Sequence, residues 1–194
     1  MADRSNGNDE SHQDHRFRAY PDLDPSLEVV IRFQEVKRWH MVDVTPTQNL
    51  ASHSATVALL AGYIAHTCPG MYFGSSTEMM IQGLIHDIGE TMTGDIPGHV
   101  KNVLGEGPKK LEHQLTPRWL RGTEDSNTRH LIKLCDLAEA IRYVKIHGVT
   151  RVASWAANQL RMVYEKHIGL VAEDWPDLVV IHVIKNLNDY MDTR

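Results

Sequence analysis

The sequence predicts an all-α chain, and three observations carry that expectation. Apolar residues recur at helical spacing through most of the chain, no stretch alternates with period two, and start and stop signals bracket the periodic runs. There is no internal repeat. Residues 1 to 24 mix Asn, Asp, Ser, Gly and His with almost no large apolar residue and read as a flexible tail, in which His12 and His15 are simply solvated. Residues 25–194 read as one domain.

From Ser26, a stripe of Leu27, Val30, Ile31, Gln34 and Val36 predicts a helix leading into Lys37-Arg38-Trp39. Met41 to Asn49 must be a loop, because Thr45-Pro46-Thr47 disfavours helix in the residue before proline. A second helix follows from Leu50 to Thr67 and is stopped by Pro69-Gly70. Ser75 with Glu78 three residues on forms a capping-box pattern that opens a third helix running to His86. Gly89 to Gly98 reads as a short helix end and then a loop, and Pro108 to Leu120 as a helical piece interrupted at Pro117. The strongest helix spans Asp125 to His147, with Leu131, Leu134, Leu137, Ala138 and Ile141 on one side and Gly148 as its stop. Two more, Thr150 to His167 and Pro176 to Tyr190, close the chain.

Composition narrows the function classes. With 194 residues and 42% hydrophobic content the chain can bury one core and shape a pocket. A net charge of −5 implies no broad basic surface, so a nucleic-acid polymer is not the expected partner, and an anionic substrate must be met by a few local cations. Cys68 and Cys135 lie in apolar stretches at neither disulfide nor metal spacing, which fits a reducing cytoplasm. No export signal and no run of ~20 apolar residues is present, so no membrane association is expected.

Four residues stand out by position. His86 and Asp87 are adjacent at the end of the apolar run Met79 to Ile85. Neighbouring helical residues diverge by about 100°, so both reach one ion only if it sits near the helix end, and its other ligands must come from different helices. His53 lies on the preceding helix. Asp136 interrupts Leu134-Cys135 and Leu137-Ala138, where a carboxylate is costly unless it is paired or holds a cation. Alone, each has an ordinary reading as a core histidine or a helix-surface acid. The ordered set is specific: His, then His-Asp 33 positions later, then Asp 49 beyond that, counted from residues 53, 86, 87 and 136. Two imidazoles and two carboxylates suit a divalent transition metal such as Zn, Co, Mn, Fe or Ni, and leave coordination positions open.

This pattern resembles the HD-domain metal-dependent phosphohydrolases, which implies an HD-type helical bundle. Lys37-Arg38-Trp39, Asn49 to Ser54, His86-Asp87-Ile88-Gly89-Glu90, Thr93 to Pro97 and Val100-Lys101 are similar, in order and spacing, to the bacterial 5′-deoxynucleotidases and their relatives. The likeness covers Ser26 to Tyr143. Ser52 stands where that family usually has Glu before the first ligand histidine, a departure that touches a supporting contact and no ligand. Glu90 is followed by Thr91 and not by Asp, which disfavours the alarmone hydrolases of the superfamily. The 41 positions from Asp95 to Asp136 are closer to the phage dATP triphosphohydrolases of diaminopurine genomes than to the bacterial enzymes.

The resemblance implies a 2′-deoxynucleotide substrate, with dATP cleavage to deoxynucleoside and triphosphate favoured over phosphate release from dNMPs. It further implies a homo-oligomer in the cytoplasm, the host's if the chain is phage-encoded, and additional divalent ions accompanying the phosphates. Glu90, four residues after His86 and three after Asp87, would orient or deprotonate the attacking water, and Asp95, presented by Gly94, would hold that water or protonate the leaving oxygen. Arg38 offers a planar fork for phosphate, and Lys101 and Lys133 offer point charges. Trp39 would line the pocket, and Met41 would exclude a ribose 2′-OH. Lys133, three residues before Asp136, also has a simple reading as a helix-surface ion pair. Two further classes compete: a silent nucleotide-binding HD module, and a structural metal site, which normally closes with four Cys or His ligands.

Overall fold

The computed structural model describes residues 23–68, 73–123 and 125–193; the expected tail, except Leu23 and Asp24, and the Pro69-Gly70 stop lie outside them. Among the described residues the chain is helical with no strand, as the sequence predicts. α1 (Pro25–Arg32) starts on Asp24, whose carboxylate accepts the Ser26 amide at 2.8 Å. It ends four residues before Val36. The backbone there turns to pair Lys37 with Asn49 in an isolated antiparallel bridge, with the Arg38 amide donating to the Gln48 carbonyl at 2.9 Å. The apolar stripe of this helix also faces outward. Leu27, Val30 and Ile31 are exposed, while Val29 is buried against Ile88 and Leu120, and Glu28 is buried with Arg32 at 3.5 Å.

α2 (Leu50–Thr67) is capped by Asn49, whose side chain accepts the Ser52 amide at 2.8 Å. α3 (Ser76–Ile85) is capped by Ser75 as its sequence foretells. After a turn over 86–89 come α4 (Glu90–Thr93), α5 (Gly98–Leu104), α6 (Gly107–Leu115) and a single 3-10 turn at Arg118–Leu120. The sequence reading leaves α5 unassigned, since this segment is only seven residues long between Pro97 and Gly105, and Val103 and Leu104 of its short apolar stripe are exposed. α7 (Ser126–His147), α8 (Arg151–Asp174) and α9 (Asp177–Asp192) complete the chain.

α8 runs past His167 to Asp174, carrying Gly169 inside it. Its end is anchored beyond the helix, where Trp175 packs edge-on against Phe73 at 4.8 Å and its indole N–H donates to Asn127 at 2.9 Å. Gly148 does stop α7, but with an ordinary φ of −72°. Space is what requires glycine there, because a Cβ would lie 2.4 Å from that of Ala153.

The main core joins α2, α3, α7, α8 and α9 through Val57, Ile64, Met79, Leu131, Leu134, Tyr164 and Leu187, and Cys68 and Cys135 lie buried within it. α2 and α3 touch backbone to backbone at Gly83, where a Cβ would lie 2.7 Å from Ala58 Cα and 2.9 Å from its nitrogen. Gly83→Ala should therefore force the helices apart and lower stability by about 1–3 kcal/mol, the usual range for overpacking. Urea denaturation of the metal-free protein would measure this, and an unchanged midpoint would show that the interface yields.

Candidate metal centre

Three helices deliver the four residues singled out by spacing. His53 projects from α2 and is fully buried. His86 closes α3 as its C-cap and Asp87 follows in the turn, so the pair reaches one point because the helix ends there. Asp136 comes from the middle of α7 and is buried. One potential ligand atom from each of the four lies within 4.8 Å of all the others.

His53 Nε2 is 3.2 Å from Asp136 Oδ1 and 3.7 Å from Asp87 Oδ2, and His86 Nε2 is 3.1 Å from Asp87 Oδ2. Each imidazole is already tied at its other nitrogen. His53 Nδ1 donates to Glu139 Oε2, and His86 Nδ1 donates to the Gly83 carbonyl at 2.7 Å. Both Nε2 atoms are buried without a hydrogen-bond partner. Two orphaned imidazole nitrogens aimed at two carboxylates are what a divalent transition metal requires, and the donor set fits one.

The surrounding charge is arranged around the carboxylates. Arg38 Nη1 lies 3.4 Å from Asp87, and Arg38 Nη2 lies 3.9 Å from Asp136. Lys133 donates to Asp136 Oδ2 at 2.6 Å, so the ion-pair reading of Lys133 is realised and leaves Oδ1 facing the histidines. Burial alone would raise the Asp136 carboxyl, but Lys133 and the two histidines hold it well below the carboxylate range. Burial likewise opposes a proton on His86, yet Asp87 and Asp136 outweigh it and raise the imidazole from 6.5 to about 9.

That shift fixes a pH dependence. A raised folded-state value means the His86 contribution to stability is fully present below pH 6.5 and is lost as pH rises through about 9. A metal must displace the same proton. Apparent Co2+ affinity should thus climb by up to about tenfold per pH unit towards pH 9, while the metal-free protein melts at progressively lower temperature. A titration flat between pH 6.5 and 9 would mean that His86 is already neutral there.

Glu90 opens α4 beside this cluster. Its Oε1 accepts from Lys101 at 2.6 Å, while Oε2 is buried and unpartnered. Burial, then Asp87, push its carboxyl up to about 8, with Lys101 opposing and Asp95 adding. Asp95, half-buried on the loop after α4, also acts electrostatically on Arg38. On the other side of Arg38 an open cleft of about 430 Å3 is lined by Arg38, Trp39, Met41, Asp43 and Thr47. Trp39 adopts φ 65°, an uncommon conformation for a non-glycine residue, and stacks parallel to Tyr143 at 6.4 Å. Met41 is exposed at the rim.

The structure thus groups His53, His86, Asp87, Asp136, Arg38 and Lys133, flanks them with Glu90 and Asp95, and sets Trp39 and Met41 in the adjoining cleft. Lys101 does not line that cleft; it sits between Glu90 and Glu112, 3.3 Å from the latter. Sequence reasoning missed Gln48, Glu112 and Glu139. Glu139 alone carried a signal, as an acid one turn past Asp136 on the same apolar helix.

Residues 26–117 match the family model described as 5′-deoxynucleotidase YfbR-like. The chain is 33% identical over 122 residues to the dATP triphosphohydrolase of Cyanophage S-2L, an alignment covering 61% of this chain and 69% of that protein. It is 27% identical over 168 residues to the dATP triphosphohydrolase of Salmonella phage PMBT28, covering 82% and 86%. Among solved structures it resembles the Cyanophage S-2L HD phosphohydrolase (DatZ) bound to dA and one catalytic Zn2+ ion. There the TM-score is 0.75 at 26% identity, over 87% of this chain and 97% of that one.

Proposed function

The chain belongs to the YfbR-like HD phosphohydrolases, and from that premise we propose that it is a metal-dependent hydrolase that cleaves dATP to deoxyadenosine and triphosphate. The observation that carries this is the pair of buried, unpartnered Nε2 atoms of His53 and His86, set against Asp87 and Asp136 beside a cleft floored by Arg38. His53, His86, Asp87 and Asp136 would hold a divalent transition metal, whose Lewis acidity offsets charge building on the phosphoryl oxygens.

The remaining chemistry belongs to the chain. Water attacks the α-phosphorus, Glu90, whose raised carboxyl must first ionise, takes its proton, the P–O5′ bond breaks, and the 5′-oxygen leaves with a proton that Asp95 supplies. Arg38 reaches both the carboxylates and the cleft, so its guanidinium positions the phosphate next to the reacting centre. Trp39 provides a flat, clamped face for the nucleoside. Met41 places an apolar group at the rim, where it would meet the sugar.

A second reading, phosphate release from deoxynucleoside monophosphates, is favoured by one observation: Lys101 is engaged by Glu90 and Glu112 and Lys133 by Asp136, which leaves Arg38 as the cation lining the cleft. Incubation with Co2+ or Mn2+ and each dNTP and dNMP, followed by chromatography, separates the readings. Triphosphate with deoxyadenosine supports the first; orthophosphate from dAMP with dATP untouched replaces it by the second. Met41→Gly should let ATP compete with dATP by about 10-fold or more, since an apolar wall discriminates by roughly 1–3 kcal/mol. Unchanged selectivity would move that role to Trp39.

A further inference from the structure

A buried chain of hydrogen bonds runs from the nucleoside cleft to the metal centre, and its donor and acceptor order is fully determined. The Trp39 indole N–H, which can only donate, gives its hydrogen to Gln48 Oε1 at 2.8 Å. This fixes the Gln48 amide with its nitrogen pointing the other way, where it donates to Glu139 Oε1 at 2.6 Å. Glu139 Oε2 then accepts from His53 Nδ1, and the His53 lone pair is left on Nε2, facing Asp87 and Asp136. Gln48, His53 and Glu139 are all buried, so no water corrects a mismatch.

We propose that Glu139 and Gln48 are positioning residues: they lock His53 in the tautomer and orientation that present Nε2 to a metal, and they join that ligand to Trp39 in one rigid unit. The proposal rests on the metal-dependent reading above, and it deepens that reading by making nucleoside platform and metal ligand parts of a single network. Trp39 is held at its other face by Tyr143, whose hydroxyl donates to the Pro46 carbonyl at 2.6 Å, so the platform end is anchored independently of any ligand.

Polarity supplies the test. Glu139→Gln keeps the shape, and its new carbonyl can still accept from His53, but its new amide then meets the Gln48 amide, donor against donor. Turning Gln48 only moves the conflict to the Trp39 N–H. Co2+ affinity of Glu139→Gln, read from the visible absorption of the bound ion, should fall about 10–100-fold, the usual effect of removing such a partner. Adding Gln48→Glu to that variant restores an acceptor for both neighbours and should recover most of the loss.

Wild-type Co2+ affinity in Glu139→Gln, or a double variant that binds as weakly as the single one, would overturn the proposal. Melting of each metal-free variant shows whether it is folded. If Glu139→Gln is not, Gln48→Met tests the same chain, and wild-type Co2+ affinity in it would exclude Gln48. Because binding is measured without nucleotide, failure here is distinct from failure to hydrolyse dATP.

Discussion

Substitution of His53, His86, Asp87 or Asp136 by Ala is expected to remove bound metal and turnover together. Each contributes one of four convergent atoms, and neither histidine has a free second nitrogen with which to compensate. A metal is worth several kcal/mol of transition-state stabilisation, and each 1.36 kcal/mol is tenfold, so activity should drop by about 1,000-fold or more. Asp136→Ala also strands Lys133, so Asp136→Asn is the companion that keeps the fold. Co2+ titration and product chromatography on each variant measure both quantities, and a variant that retains metal and rate removes its residue from the ligand set.

Glu90→Gln should separate chemistry from binding. The amide keeps an oxygen for Lys101 and leaves all four ligand residues untouched, but it cannot accept a proton from water. Metal affinity should stay near that of the wild type while kcat falls about 10²–10⁴-fold, the range of general-base assistance. Near-normal kcat would reassign the base, and Asp95 is the next acid in reach. A parallel loss of metal would instead mean that Glu90 supports the ligands.

How much of this was legible depends on whether the cause is local. Helix starts were: Ser75 was read as the cap of α3, and the starts read at Leu50 and Asp125 fall where Asn49 and Asp125 cap α2 and α7. The convergence of His53, His86, Asp87 and Asp136 was too, because a carboxylate inside Leu134 to Ala138 and a His-Asp pair at a helix end are costly without a shared partner. The facing of α1 was not. Its apolar stripe predicts a helix correctly, yet Ile88 and Leu120 cover Val29 and leave Leu27, Val30 and Ile31 outside. Lys101 was read as a phosphate cation, but Glu112, on a helix the pattern marks only weakly, draws it onto Glu90. Glu139 and Gln48 acquire their meaning only when α7 lies against the Trp39 loop, a contact 91 positions apart in sequence.

The ligands' origin on α2, at the end of α3 and in α7 has a consequence for how the folded population responds to its surroundings. An ion held by these four residues would bind only when the helices are assembled, so its occupancy would be drawn directly from the folding equilibrium. At free metal one hundred times the dissociation constant, mass action adds about 2.7 kcal/mol, and at one thousand times about 4.1. For a domain of this size that is a large part of the whole margin between folded and unfolded chains. The amount of protein that survives thermal or proteolytic challenge would then report free metal, and a chelator that stops turnover would also lower the melting temperature.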